Sequence, residues 1–533
     1  MTSSSKLAFY FTCGRGTEVF VCAELRKSFI DYYTSNITND ITKDINYEGG
    51  KVFVSINATT DKKFHLYRLL TGMKFPERLF RLIVNVPIDK RIHSYKHAVW
   101  FLKSSLEKIT VSDWTDTLLT STTNGKNSDN GVDNDGDDDD ENDNDDDEVK
   151  NDDEDDEKEE CTKDDDDECE LIIKKRKVSG KSFRVSAKCS GSISKLFDTN
   201  KLSSICGCKI VELTGWQVEL RKPDVEISLQ LNDKRFIVGT PVLNSLLSKR
   251  RYLKHIGLRS TIASIIASLC SLKVGMVVAD VMCGYGTILV EAAMLCPGLI
   301  LVGFDIDGEA CNKMRDNIKE SQRFKNCCSI DVHQCDVRYI PLKNGSVDRV
   351  VCDLPFGLKH DRTCSVEDIL ISVHKILKVG GRCVLLCGAN MSNKFSKVVH
   401  DIFQCVLDGK NEKSPTKEKA VDYVMKLCWD STTHVPNSNL DATAAEIDSL
   451  YSGPDIVDVA YKDATAASSP DANVVATATT VHHSDVDVFV SHRNLRDDKL
   501  LFPHYKSKWS NELFHYVKLG ETHAYICVFT KIC

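Results

Sequence analysis

Apolar and polar positions alternate along this 533-residue chain in two distinct rhythms, and the change of rhythm divides it. Between residues 252 and 430, short apolar runs predict strands at 277–281, 299–304, 329–334, 347–352 and 382–387. Between them, apolar residues at helical spacing predict helices over 260–269, 288–295, 309–321 and 365–377. Gly380-Gly381 breaks the chain before the fifth strand. Repeated β-α units imply a parallel sheet with helices on both faces, an α/β fold. At the end of the chain, the runs 513–519 and 523–531 flank Gly520-Glu521-Thr522 and predict an antiparallel hairpin that closes the sheet.

The N-terminal part reads as a small α/β unit over 1–110. Strands are expected at 7–12, 51–56 and 78–84, and helices at 17–29 and 64–70. Order resumes over 182–245. There a strand is expected at 183–188, and 223–231 alternates cleanly, with Val225, Ile227, Leu229 and Leu231 set against Glu226, Ser228 and Gln230. Asn232-Asp233 supplies a turn, and 235–238 runs back as the second arm of a hairpin with one wet face. Two stretches lack the means to bury a core. Asp and Asn dominate residues 124–170, the acidic tract within a 111–181 linker, and residues 432–491, rich in Ala, Ser, Thr and Asp, read as an insertion in a domain spanning 250–533.

The formal net charge of −9 hides a split. Residues 129–170 carry 27 Asp and Glu against 3 Lys, so that window holds −24 and the remainder sums to +15. A mildly basic body suits a polyanionic partner. Lys174-Lys175-Arg176-Lys177 follows the acidic tract and is open to two readings, a nuclear import signal or a solvated basic turn; the first puts the chain in the nucleus, with the cytoplasm as a second location. The 22 cysteines include no C-x-x-C pair and suit reduced core positions better than a metal site. The N-terminus has too short an apolar run for a signal peptide, and no 18-residue apolar stretch predicts a transmembrane helix.

Chemistry gathers at the carboxyl ends of the predicted strands. The first ends in Asp280-Val281-Met282-Cys283-Gly284-Tyr285-Gly286-Thr287. The glycines let a ligand approach the backbone before the chain turns into a helix. Asp280 repels phosphate and suits a cationic ligand such as the methionine amine, which favours S-adenosyl-L-methionine over a dinucleotide. The second strand ends in Asp305-Ile306-Asp307, where an acid can accept from both ribose hydroxyls. Asp305 is the candidate, and Asp307 is expected to cap the next helix. The third ends in Asp336-Val337, where Asp336 can accept from an adenine amine. The fourth ends in Asp353-Leu354-Pro355-Phe356-Gly357. There Asp353 and the Pro355 carbonyl can accept the N–H groups of an exocyclic amine, and Phe356 can stack on its base. No metal is needed.

The glycine loop and DLPFG turn resemble those of class I RNA guanosine-N2 methyltransferases. Three more segments narrow this to the THUMP-domain methyltransferases: FTCGRGTE (11–18), GWQVELRKPDVEISLQLNDKRFIVGTPVL (215–243) and YLKHIGLRSTIA (252–263). The resemblance implies a ferredoxin-like N-terminal unit, a THUMP domain holding structured RNA, and a Rossmann-like catalytic domain. It also implies a small zinc-binding activator subunit. Within the family, the chain looks more like members acting on U6 small nuclear RNA than like those acting on tRNA. Val281 stands where proline is usual, Leu354 where Pro, Met or Ile is usual, and Ser260 where many relatives carry proline; none removes a chemical group. Candidate phosphate contacts are Lys249, Arg250, Arg251 and Lys254 near the domain junction, with Arg221 and Lys222 in the THUMP segment. Methyltransferases acting on DNA adenine or protein glutamine generally carry Asn in place of Asp353. A non-catalytic RNA-binding protein would not need all four strand-end acids.

Overall fold

The computed structural model describes residues 5–32, 45–58, 63–88, 94–115, 180–324, 328–354, 364, 366–388, 417–429, 509–519 and 522–531. The acidic tract, Lys174–Lys177, Pro355, Phe356 and the 432–491 insertion lie outside these residues.

In chain order, the first elements are β1 (Ser5–Thr12), α1 (Glu18–Tyr32), β2 (Asn46–Glu48), β3 (Lys51–Ala58), α2 (Lys63–Thr71), β4 (Arg78–Pro87), α3 (Tyr95–Leu106) and α4 (Val111–Thr115). Next come β5 (Ser182–Cys189), α5 (Thr199–Thr214), β6 (Gln217–Val218), β7 (Val225–Leu231) and β8 (Arg235–Pro241). The third group is α6 (Ser260–Leu269), β9 (Val277–Asp280), α7 (Thr287–Leu295), β10 (Ile300–Asp305), α8 (Gly308–Gln322) and β11 (Ser329–Gln334). Last are β12 (Val347–Asp353), α9 (Val366–Ile376), β13 (Leu377–Gly388), α10 (Lys417–Cys428), β14 (Trp509–Leu519) and β15 (Thr522–Lys531).

The chain forms two compact units. One comprises Met1–Phe9, Asn57–Arg68 and Phe80–Asn244, and the other Tyr10–Ile56, Leu69–Leu79 and Ser245–Cys533. In the first, strands β4-β8-β7-β5-β6 lie side by side in that order. β7 and β8 form the hairpin expected around Asn232-Asp233, with Leu231 opposite Phe236. β7 buries Ile227, Leu229 and Leu231, while Glu226 and Gln230 keep access to water; Ser228 and all of Phe236–Thr240 are buried, so the face expected to be wet is only partly so. These apolar residues pack with Phe183, Phe197, Leu202, Cys206, Ile210 and Trp216. Helix α5 is capped by Asp198, whose side chain accepts from Lys201 N, and closes on Gly215 at φ 72°.

The second unit holds a seven-stranded sheet of order β11-β10-β9-β12-β13-β15-β14. The pairs β11–β10, β10–β9, β9–β12 and β12–β13 are parallel. β15 and β14 join antiparallel, as the C-terminal hairpin expected from sequence. Helix α6 spans the residues expected, and the strand and helix ends elsewhere fall within a few residues of the sequence reading. β13 starts before Gly380-Gly381, not after it. The glycines still interrupt the ladder: its pairing with β12 jumps from Leu377 to Arg382, and Gly380 sits at φ 76°. Chain direction across the sheet reverses beside β9, which has β10 on one flank and β12 on the other, so the carboxyl ends of β9, β10 and β12 open on one crevice.

Candidate active site

The crevice is lined by carboxylates. Asp280 ends β9 with only 1% of its surface exposed. Burial holds its carboxyl well above the usual range, with Asp353 and Asp305 adding to the rise, against one N–H bond from Met282 at 3.2 Å. The loop beyond it is fixed to the next strand. Cys283 N–H donates to the Phe304 carbonyl at 2.8 Å, and Gly286 N–H closes on Cys283 O at 2.7 Å.

The two loop glycines have different reasons. Gly286, at φ 74°, opens α7, and a Cβ there would stand 2.6 Å from Met314 Cγ. Gly284, at φ 51°, has nothing within 4 Å of where a Cβ would lie, so its backbone faces open space. Thr287 follows, buried, and its Oγ1 has no hydrogen-bond partner among the described residues.

Asp305 ends β10 and reaches back to this loop. Its Oδ2 accepts from Gly284 N–H at 2.7 Å, and its Oδ1 from Asp307 N–H at 2.9 Å. A carboxylate has about four lone-pair sites, so acceptor capacity remains. Asp307 caps α8 as expected, accepting from Glu309 N–H at 2.9 Å. Ile306 is 60% exposed beside these acids, an unusual position for an isoleucine, whereas Val337 is buried.

Asp336 differs from the sequence reading in one respect. Both its oxygens are engaged by Arg338, at 2.5 and 3.1 Å to Oδ2 and 3.0 Å to Oδ1, and that guanidinium holds its carboxyl below the usual range. A ligand amine would share Asp336 with Arg338.

Asp353 ends β12, where it pairs with Leu386 of β13. Burial pushes its carboxyl up to about 7, and Oδ1 has no hydrogen-bond partner among the described residues. Leu354 anchors the next position: it is buried, and its N–H donates to Leu386 O at 2.9 Å. A buried, unpaired acceptor at the end of a strand is costly. Together these groups can hold a cationic ligand bearing a diol and present to an N–H donor a carboxylate oxygen that is unpartnered among the described residues.

The basic candidates separate. Arg251, Lys249 and Lys254 are exposed, as are Arg221 and Lys222. Lys254 pairs with Asp316 at 3.0 Å, and the Arg251 guanidinium lies 5.8 Å from the Phe324 ring centroid. Arg250 is only 5% exposed. Its guanidinium bonds Glu291 at 3.1 Å and the carbonyls of Leu247 and Lys74, while Glu291 also receives the hydroxyls of Ser264 and Tyr252. Its position suits a buried post, not a surface cation. Glu291 and Asn317 did not stand out in the sequence. For Glu291 the signal was a polar residue among apolar neighbours on a helix, between Val290 and Ala292; Asn317, in the polar run Arg315-Asp316-Asn317, offered none.

No helix among the described residues is long and apolar enough to cross a membrane, and no group of three or more possible metal ligands occurs among them.

Known proteins match in the same places. Residues 248–399 match the family described as RMKL-like, methyltransferase domain, and residues 167–240 match the THUMP domain. The chain is 40% identical over 205 residues to the U6 snRNA (guanine-N(2))-methyltransferase THUMPD2 of Homo sapiens, covering 38% of this chain and 40% of that protein. The Bos taurus protein of the same name is 37% identical over 211 residues, covering 40% and 42%. The human tRNA (guanine(6)-N(2))-methyltransferase THUMP3 is 32% identical over 186 residues, covering 33% and 36%. These matches therefore span about two-fifths of the relatives' length or less. The crystal structure of TrmN from Thermus thermophilus aligns over 98% of this chain and 99% of its own, with a TM-score of 0.51 and 14% identity, and shows the shared fold.

Proposed function

We propose that this chain, which joins a THUMP domain to an RMKL-like methyltransferase domain, transfers a methyl group from S-adenosylmethionine to the N2 amine of a guanosine in RNA, with U6 small nuclear RNA as its substrate. The carrying observation is Asp353. Its Oδ1 is buried and, among the described residues, unpartnered at the carboxyl end of β12, beside a crevice lined by Asp280 and Asp305.

The residues fit S-adenosylmethionine. The open backbone at Gly284 admits a ligand, and Thr287 Oγ1, unpartnered among the described residues, can take a partner from a ligand. Buried Asp280 suits a cationic amine, Asp305 retains acceptor capacity for ribose hydroxyls, and Ile306, Val337 and Cys283 offer apolar contact to an adenine ring. The bound cofactor supplies an electrophilic methyl group on a sulfonium.

Everything else falls to the protein. A guanine amine is a poor nucleophile because its lone pair is delocalised into the ring. Asp353, accepting one N–H bond, favours the pyramidal amine that can attack. The Pro355 carbonyl is the proposed second acceptor and Phe356 the stacking surface. Asp353 need not take a proton first. The amine becomes acidic as the methyl arrives, and the carboxylate or solvent then receives the proton. Catalysis is alignment and electrostatics.

U6 RNA is favoured over tRNA because identity is higher to the THUMPD2 relatives, 36–40%, than to the THUMP3 relatives, 30–32%. Nuclear residence follows from that substrate and from the Lys174–Lys177 cluster. The segments 1–110, 182–245 and 250–533 are kept as proposed modules. A small zinc-binding activator subunit completes the proposal on family resemblance. The test is to supply labelled methyl donor with U6 and tRNA transcripts, with and without that subunit, and to identify the labelled nucleotide. Label in tRNA alone would transfer the proposal to the second substrate, and no label in any RNA would favour a non-catalytic RNA-binding protein.

A further inference from the structure

Asn317 lies in α8 with no surface exposed to solvent. A buried amide is costly unless its polar groups find partners, and here all are used. Oδ1 accepts from the backbone N–H groups of Lys254 and His255, both at 2.8 Å. Nδ2 donates to the His255 carbonyl at 2.7 Å and to the Tyr285 carbonyl at 2.9 Å. One side chain thus joins three segments of backbone: α8, the connector at 254–255 and the glycine loop. Only this orientation of the amide sets donors against carbonyls and the acceptor against N–H groups.

Packing around Tyr285 runs the same way. A Cβ on Gly257 would touch the Tyr285 ring at 3.4 Å, the His255 ring meets it edge-on with centroids 6.5 Å apart, and Lys313 Nζ lies 3.2 Å from its hydroxyl. Tyr285 sits between Gly284 and Gly286, the two most adaptable points of the loop. A tether there restrains both.

We infer that Asn317 is a positioning residue, which holds the glycine loop in its cofactor-accepting shape by stapling Tyr285 to the connector. The inference rests on the cofactor reading above, and Asn317 acts only through the loop. Asn317→Asp separates the two halves of the staple. It keeps an oxygen facing the Lys254 and His255 N–H groups and replaces the donating Nδ2 by an oxygen facing two carbonyls.

The experiment uses the full chain, with amide exchange read by mass spectrometry and S-adenosylhomocysteine binding read by calorimetry. In N317D without ligand, exchange over 283–287 should rise about tenfold or more while 254–255 stay protected, and affinity for S-adenosylhomocysteine should fall by a similar factor, the scale of a lost buried hydrogen bond. Unchanged exchange over 283–287, or a lower melting temperature with unchanged affinity, overturns the inference. Should N317D not fold, the wild-type chain decides. Protection rising together at 254–257 and 283–287 on ligand addition supports the staple, and a rise in the glycine loop alone overturns it. A wild-type chain that binds no S-adenosylhomocysteine, while N317D still loosens 283–287, counts against the cofactor reading and leaves the staple standing.

Discussion

The backbone N–H of Gly284 donates to Oδ2 of Asp305 at 2.7 Å, so the glycine loop after β9 is tied to the acid that ends β10. Asp305 therefore shapes the loop, and in the proposed site it offers its remaining lone pairs to a ligand diol. Hydrogen bonds to a charged acceptor contribute about 1.5–3 kcal/mol each, or roughly 10–100-fold in affinity. Asp305→Ala should weaken S-adenosylhomocysteine binding by at least that range, measured by calorimetry. Unchanged affinity would remove Asp305 from the site.

Asp353→Ala should abolish methyl transfer while leaving affinity for S-adenosylhomocysteine, which lacks the sulfonium charge, near wild type, because Asp353 is assigned to the target amine. A fully active variant would sink the mechanism.

The same residue predicts a pH response. Burial pushes the Asp353 carboxyl up to about 7, above its ordinary range. Between the unfolded and folded values the native state binds the extra proton, so stability falls as pH rises through that window. Asp353→Asn removes the penalty, and its melting temperature should exceed wild type at pH 8 by more than at pH 5. In the proposed mechanism activity needs the carboxylate, so kcat/KM should rise with pH through about 7. A cationic cofactor nearby favours the charged form, so the acid limb of kcat should lie lower than that of kcat/KM. Coincident limbs would argue against a cationic neighbour.

Much of this site was legible as strand-end acids, because an apolar run followed by Asp marks where a parallel strand meets its crevice. Asp280, Asp305, Asp336 and Asp353 all lie at or just beyond such ends. What the sequence concealed depends on distant partners or on uniform burial. Arg250 reads as one more cation in Lys249-Arg250-Arg251, and its burial comes from Glu291, 41 residues away, and the Lys74 carbonyl, 176 away. Helix α5 escaped a periodicity reading because residues from Ile205 to Val211 are all buried, Lys209 included, which erases the amphipathic stripe. The Asp336–Arg338 pair was concealed in another way. Its two-residue spacing was visible, but the side chains meet only because a single 3-10 turn, Val337–Tyr339, folds Arg338 back.

Arg250 and Arg251 are adjacent yet should behave oppositely. Arg250→Ala leaves Glu291 buried without its cation, which costs about 3–5 kcal/mol, so this variant should lose stability in denaturant unfolding. Arg251→Ala should leave stability close to wild type. If Arg251 meets phosphate, it should lower the slope of log affinity against log salt by about 1. Equal stability losses in the two variants would contradict this division.

Gly286 offers the sharpest steric test. At φ 74° an alanine is strained, and its Cβ would stand 2.6 Å from Met314 Cγ and 2.8 Å from Met314 Sδ. These are separate costs, one in the backbone and one in the packing. Gly286→Ala alone should destabilise by more than about 1 kcal/mol and weaken cofactor binding, since α7 begins at this glycine. Adding Met314→Ala removes the clash but not the strained φ, so the double variant should recover part of the affinity and not all of it. The two effects should couple in a double-mutant cycle, because the residues touch. Strict additivity would show that the conformation of Gly286 alone, without Met314, sets the loop.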